Sequence, residues 1–132
     1  NNYSDLILRD SQNISSIEVP TGSGFCFFIK GNVIEDIGLF DEVLFPRGYG
    51  EENDFSMRAI AKGYKNVIST KTFVFHVRTA SFGSEKQGLV EEGIKNIINQ
   101  YPNYNEDVKK AFTSQSINKL RDTVQFSVDK IV

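Results

Sequence analysis

Between Phe45 and Ala59 the chain reads Phe-Pro-Arg-Gly-Tyr-Gly-Glu-Glu-Asn-Asp-Phe-Ser-Met-Arg-Ala, and this stretch holds the densest chemistry in the sequence. Glu51, Glu52 and Asp54 fall within four residues, directly after a Gly-Tyr-Gly turn. Glycines on both sides of Tyr49 let the backbone turn sharply and come close to a ligand. Crowded carboxylates favour proton acceptance by one of their number, which is what a general base requires. The competing explanation is purely structural. Acids in a first helical turn interact favourably with the helix dipole, by roughly 0.3–1 kcal/mol each, so on physics alone capping is the more economical reading.

Other residues invite the same weighing. His76 is the only histidine and follows the alternating run Phe73-Val74-Phe75; a lone histidine at a strand end is more often packed or solvated than a metal ligand. Arg58 is read as a structural partner for the nearby acids. Arg47 lies on the preceding loop, where it can meet phosphate or an acidic sugar, although a solvated role is the simpler one. Lys86 and the turn Ser81-Phe82-Gly83-Ser84 follow His76 closely. Tyr49 can stack on a sugar ring or fill the core. Cys26, the only cysteine, sits in the apolar run Gly24-Phe25-Cys26-Phe27-Phe28-Ile29, where a buried, inert thiol is expected.

The elements that must position these residues alternate in type. Residues 1–16 are mostly polar and predict an extended lead-in, followed by a short strand at Ile17–Val19. Pro20 to Gly24 breaks the chain, and Phe25–Lys30 reads as a buried strand. A short helix over Asn32–Ile37 ends at Gly38, and Leu39–Tyr49 is a loop. Glu51–Lys62 predicts a helix starting after Gly50 with Lys62-Gly63 at its end, and Lys65–Ser69 and Thr72–Val77 predict two strands. Ser84 can cap a helix from Glu85 to about Asn99, Pro102 interrupts it, and Asn105 can cap another. From Ile117 the apolar positions Leu120, Val124, Val128 and Ile131 step by three or four, giving an amphipathic helix.

Composition sets the outer limits. One hundred and thirty-two residues suffice for one compact core. Fifteen basic and 17 acidic residues, scattered through the chain, give a net charge of -2 and no basic stripe for a phosphate backbone, so nucleic acid is not an expected partner. A single cysteine fits a reducing compartment, and no run approaches the ~20 apolar residues that span a bilayer. Eleven phenylalanines and five tyrosines, with no tryptophan, put most of the bulky burial into single rings.

Taken in order, the segments Gly24 to Glu42, Arg47 to Ala59, Gly63-Tyr64-Lys65-Asn66-Val67 and Thr72-Phe73-Val74-Phe75-His76-Val77, with Ser81-Phe82-Gly83 after them, resemble the C-terminal half of bacterial family-two glycosyltransferases of the GT-A type. The resemblance covers roughly residues 17–104. It implies that Gly38-Leu39-Phe40-Asp41-Glu42 closes a loop beside the acceptor site, with Arg47, Tyr49 and Gly50 nearby. Glu52 is then the base that deprotonates the acceptor hydroxyl and Asp54 a supporting acid. Glu stands where Asp is usual, which keeps Glu51 and Asp54 open as alternatives. His76 occupies the place where many members ligate a divalent cation, Mn2+ or Mg2+, or meet the diphosphate, and the turn around Ser81–Ser84 corresponds to a mobile segment. The Asp-x-Asp of the nucleotide-binding half has no counterpart in the sequence, so the expectation is a fragment that is inactive alone.

The expected fold is therefore α/β, a partial GT-A domain with a mixed sheet and flanking helices. Its divisions are a polar lead-in (1–16), the acceptor-side half (17–104) and a C-terminal helical extension (105–132). The implied activity is transfer of a sugar from a nucleotide-sugar donor to a hydroxyl of a glycan or lipid-linked acceptor, with inversion, in envelope polysaccharide synthesis. The implied location is the cytoplasm or the inner face of its membrane. The rival is a non-catalytic carbohydrate-binding or interaction module of the same shape. A sheet lacking its neighbour leaves an edge and an apolar face, so the C-terminal helix is expected to pack on a second copy and make a homodimer; folding back on its own chain, or edge pairing by the lead-in, are the alternatives.

Overall fold

A helix satisfies its own backbone hydrogen bonds, whereas a strand needs a neighbour, and that asymmetry decides which predicted elements form. The computed structural model describes residues 2–46, 48–76 and 84–130, with side chains described except at positions 2, 3 and 84–87. Among them are six helices, α1 (Asn2–Ser11), α2 (Gly31–Ile37), α3 (Glu51–Ala61), α4 (Ser84–Gln100), α5 (Tyr104–Phe112) and α6 (Gln115–Asp129), and two strands, β1 (Ile17–Val19) and β2 (Asn66–Ile68). The strands pair antiparallel with Ile17 opposite Ile68 and Val19 opposite Asn66. Lys65 Nζ meets Glu18 Oε2 at 2.8 Å across this exposed rim.

Helix α3 lies in the middle. Its Phe55 and Ala59 bury with Val33 of α2 in one apolar cluster, which Phe27, Ile29 and Ile37 complete. Phe55 is 2% exposed and meets the rings of Phe27 and Phe40 edge-on, at 6.2 and 5.3 Å between centroids. Burial of such a ring contributes about 1.5–3 kcal/mol. Met57 of α3 turns toward a second cluster, in which Phe45, Ile97 and Tyr104 pack with Tyr101 at the α4–α5 corner. The third joins Ile17 and Val19 of β1 to Ile117 of α6.

Several sequence expectations are corrected here. The lead-in is not extended: residues 2–11 form α1, with Asp5 in its first turn and Arg9 in its last, and Ile7 buried. Three consecutive apolar residues are enough because α1 lies along α6, where Ser127 and Lys130 both donate to Asp10 Oδ2, at 3.0 and 3.1 Å. Within the chain, α6 packs along α1 and sets Ile117 against Ile17 and Val19 of β1. Phe25–Lys30 is not a strand and is not buried. It begins with a turn closed by the Cys26 amide on the Ser23 carbonyl at 3.3 Å, its backbone has no ladder partner, and Cys26 is exposed. The expected strand over Thr72–Val77 is irregular through His76, with Phe73 and Phe75 edge-to-face at 4.8 Å, and Val77 lies outside the described residues. Asn105 falls inside α5, which begins at Tyr104 after Asn103. Positive φ at Gly38 and Gly63 marks the ends of α2 and α3 as read from the sequence.

Candidate functional site

The chain enters α3 through three successive residues in the left-handed half of backbone space, Gly48 (φ 77°), Tyr49 (φ 64°) and Gly50 (φ 136°). Glycine adopts these angles freely, while Tyr49 pays about 1–2 kcal/mol for its Cβ. Space is as tight as the dihedrals. A Cβ at Gly50 would lie 2.6 Å from the Phe45 ring, and one at Gly93 of α4 would lie 1.6 Å from the Tyr49 carbonyl oxygen. The turn is therefore held between Phe45 and the backbone of α4.

The three acids that follow are not equivalent. Asp54, with a side chain 4% exposed, accepts from Arg58 Nε at 2.7 Å and from the Tyr101 hydroxyl at 3.3 Å. Arg58 in turn donates to the carbonyls of Ile37 and Leu39, at 2.6 and 2.8 Å, so it ties α3 to the end of α2, as a structural partner of the acids. Glu51 folds over Gly48, its carboxylate oxygens 3.4 and 3.5 Å from where a Cβ would stand there. Glu52 points the other way, with Oε1 3.4 Å from the corresponding point on Gly24. One carboxylate oxygen of each glutamate is buried and has no hydrogen-bond partner among the described residues. Asp54 is spent on packing, and the two glutamates are not.

Segment 21–25 is strapped onto α3 from the side of Glu52. Asn53 Nδ2 donates to Thr21 Oγ1 and to the Tyr104 hydroxyl, both at 2.7 Å. Ser56 Oγ donates to the Glu52 carbonyl at 2.7 Å and accepts from the Gly22 amide at 3.1 Å. Burial pushes the Tyr104 phenol up, with the Thr21 and Asn53 hydrogen bonds acting against it, and burial likewise raises Tyr101, helped by the Asp54 charge. Both hydroxyls stay protonated near neutral pH and act as fixed hydrogen-bonding groups.

His76 meets the same segment at Phe25. Its exposed ring stacks on Phe25 at 4.4 Å between centroids and 9° between planes. His76 and Glu52 thus border consecutive residues, Phe25 and Gly24. Among the described residues no three His, Cys, Asp or Glu side chains converge as a metal site would require.

The remaining predicted residues divide. Asp41 is structural: its Oδ1 accepts from the amides of Val43 and Leu44 at 3.0 and 2.9 Å and shapes the loop ahead of Phe45. Glu42 is exposed, Tyr49 is half-buried and Gly50 is buried. Arg47 and residues 81–83 lie outside the described residues, and the side chains of Ser84 and Lys86 are not described. Sequence reasoning missed Asn53, Ser56, Gly93, Tyr101 and Tyr104. The readable signal was Gly93, a glycine inside a helical pattern, which marks close backbone approach.

No protein-family profile, curated protein or solved structure matches this chain. No described helix is long and apolar enough to cross a membrane.

Proposed function

We propose that this chain is the acceptor-side half of an inverting GT-A glycosyltransferase and that Glu52 is its general base. The observation that carries the reading is the division of labour in the acid turn. Asp54 is paired with Arg58 and accepts from Tyr101, while Glu52 has one buried carboxylate oxygen, Oε2, without a hydrogen-bond partner among the described residues and sets the other, Oε1, beside the exposed Gly24. A hydroxyl attacks an anomeric carbon faster as its proton leaves, so a carboxylate free of internal partners is the one suited to accept that proton. Asp54 and Arg58 anchor the helix, and Glu51, turned onto Gly48, lines the opposite side of its first turn. The sugar-nucleotide half, together with the acids that hold Mn2+ or Mg2+ beside His76, is supplied from outside these residues. In that reading the acceptor is a glycan or lipid-linked sugar and the enzyme works in the cytoplasm or at the inner membrane face.

One observation favours a second reading, a carbohydrate-binding module without catalysis: Phe25 and His76 present stacked, exposed rings of the kind that pack on a sugar face. A transfer assay separates the two. The full-length protein, given uridine, guanosine and thymidine diphosphate sugars with manganese and an oligosaccharide acceptor, is expected to transfer from at least one donor, while the 132-residue chain alone binds none of them by calorimetry. Oligosaccharide binding with no transfer from any donor would favour the binding module.

A further inference from the structure

Nothing within the Gly48–Gly50 turn explains why Tyr49 is held at φ 64°. The explanation comes from α4, more than 40 residues later. The Cβ position of Gly93 overlaps the Tyr49 carbonyl oxygen and lies 3.6 Å from the Tyr49 Cβ, so the α4 backbone itself is seated on the turn. One turn further on, Asn96 Nδ2 donates to the Leu44 carbonyl at 3.1 Å, and Ile97 packs on Phe45. Just past the helix, Tyr101 reaches Asp54. Positions 93, 96, 97 and 101 share one helical face. That face touches the chain before the acid turn, at its apex and after it.

Glycine inside a helix is less favourable than alanine, so its presence needs a compensating reason. Gly88, on the same helix, has open space where its Cβ would be; Gly93 has none. We propose that Gly93 is a positioning residue: it lets α4 clamp the Gly48–Gly50 turn, and the clamp fixes where the Glu51 and Glu52 carboxylates lie. The catalytic consequence rests on the reading of Glu52 as base, while the structural consequence rests on packing alone, so the two can fail separately.

Amide hydrogen exchange on the 132-residue chain tests the clamp without any assay of activity. Gly93→Ala is expected to lower protection of the Asp54 and Phe55 amides by about tenfold or more, with α6 unchanged, because local opening is set by local contacts. Gly88→Ala, the same chemical change on the same helix, leaves both regions as they were. Asn96→Ala adds no volume and removes only the bond to Leu44; it lowers protection at Asp54 by about two- to fivefold, as loss of one partly buried hydrogen bond does. Unchanged protection at Asp54 in both Gly93→Ala and Asn96→Ala overturns the proposal. So does loss in Asn96→Ala that is equal at α3 and α6, since α4 would then support the fold as a whole. In the full-length enzyme Gly93→Ala lowers kcat with donor KM unchanged; a raised donor KM at unchanged kcat overturns the positioning role. If Glu52→Gln keeps full activity while Gly93→Ala still loosens α3, the base assignment fails and the clamp stands.

Discussion

The two sides of α3 are built by different means. Toward the α4–α5 corner every contact is specific: Asp54 with Arg58 and Tyr101, Asn53 with Tyr104, Gly93 against Tyr49, and Phe45 with Ile97 beneath them. Toward residues 22–30 and 72–76 the polar straps from Asn53 and Ser56 hold only the first few residues, and beyond them Phe28 is 86% exposed and Phe25 52%. Helices bring their hydrogen bonds with them, so the α4–α5 side closes with what the chain provides. Segments of strand-like composition cannot do so without a neighbouring strand, and while Phe27 packs on Phe55, Phe25 and Phe28 stay in solvent. Asp54 belongs to the closed side, and Glu52 turns toward Gly24 on the open one.

The largest effect is expected at Phe55, on the face of α3 that packs on α2 and Phe27. Phe55→Ala removes the ring on which Phe27 and Phe40 pack and is expected to cost about 3–5 kcal/mol, seen as a lowered denaturant midpoint. Asp54→Ala leaves Arg58 with its two carbonyls and no counter-charge, and Tyr101 without its acceptor. A loss of about 1.5–3 kcal/mol is expected, the range for hydrogen bonds to a charged group. A neutral Asp54→Ala would show that the anchor is elsewhere.

Smaller effects sharpen the same comparison. The Lys130 hydrogen bond, followed by that of Ser127, holds Asp10 below the usual aspartate range and joins α1 to α6. Because the folded form binds this proton more weakly than the unfolded chain, the contribution is complete above the ordinary aspartate value. It is lost as pH falls through the lowered one. Acid titration followed by exchange in α1 is expected to show this loss in the wild type and not in Asp10→Asn. Phe28→Ala, on the open side, is expected to change stability by less than about 0.5 kcal/mol, as exposed positions do. A large loss there would mean that the open face is covered in solution.

Much of this was legible before the structure. The Gly-Tyr-Gly turn, the helix beginning at Glu51, the glycine stops at Gly38 and Gly63, and the amphipathic α6 all follow from local rules that tertiary packing did not override. Residues 25–30 misled because β-branched and aromatic composition reports fitness for a sheet, and no described strand lies beside them to form one. The lead-in misled in the opposite sense: its helix depends on α6, more than 100 residues away, which no local pattern reveals. Within the site, the sequence brought Glu51, Glu52 and Asp54 forward as a set. What separated them was the reach of Arg58 and Tyr101 to Asp54 alone, and Tyr101 is 47 residues distant.

The most direct measurement of the proposed glycosyl transfer and its base is steady-state turnover of Glu52→Gln in the full-length protein. Loss of a general base predicts kcat lower by about 10²–10⁴-fold with donor KM nearly unchanged. Full activity in Glu52→Gln, with activity abolished in a stably folded Asp54→Asn, would contradict the account and move the base to Asp54.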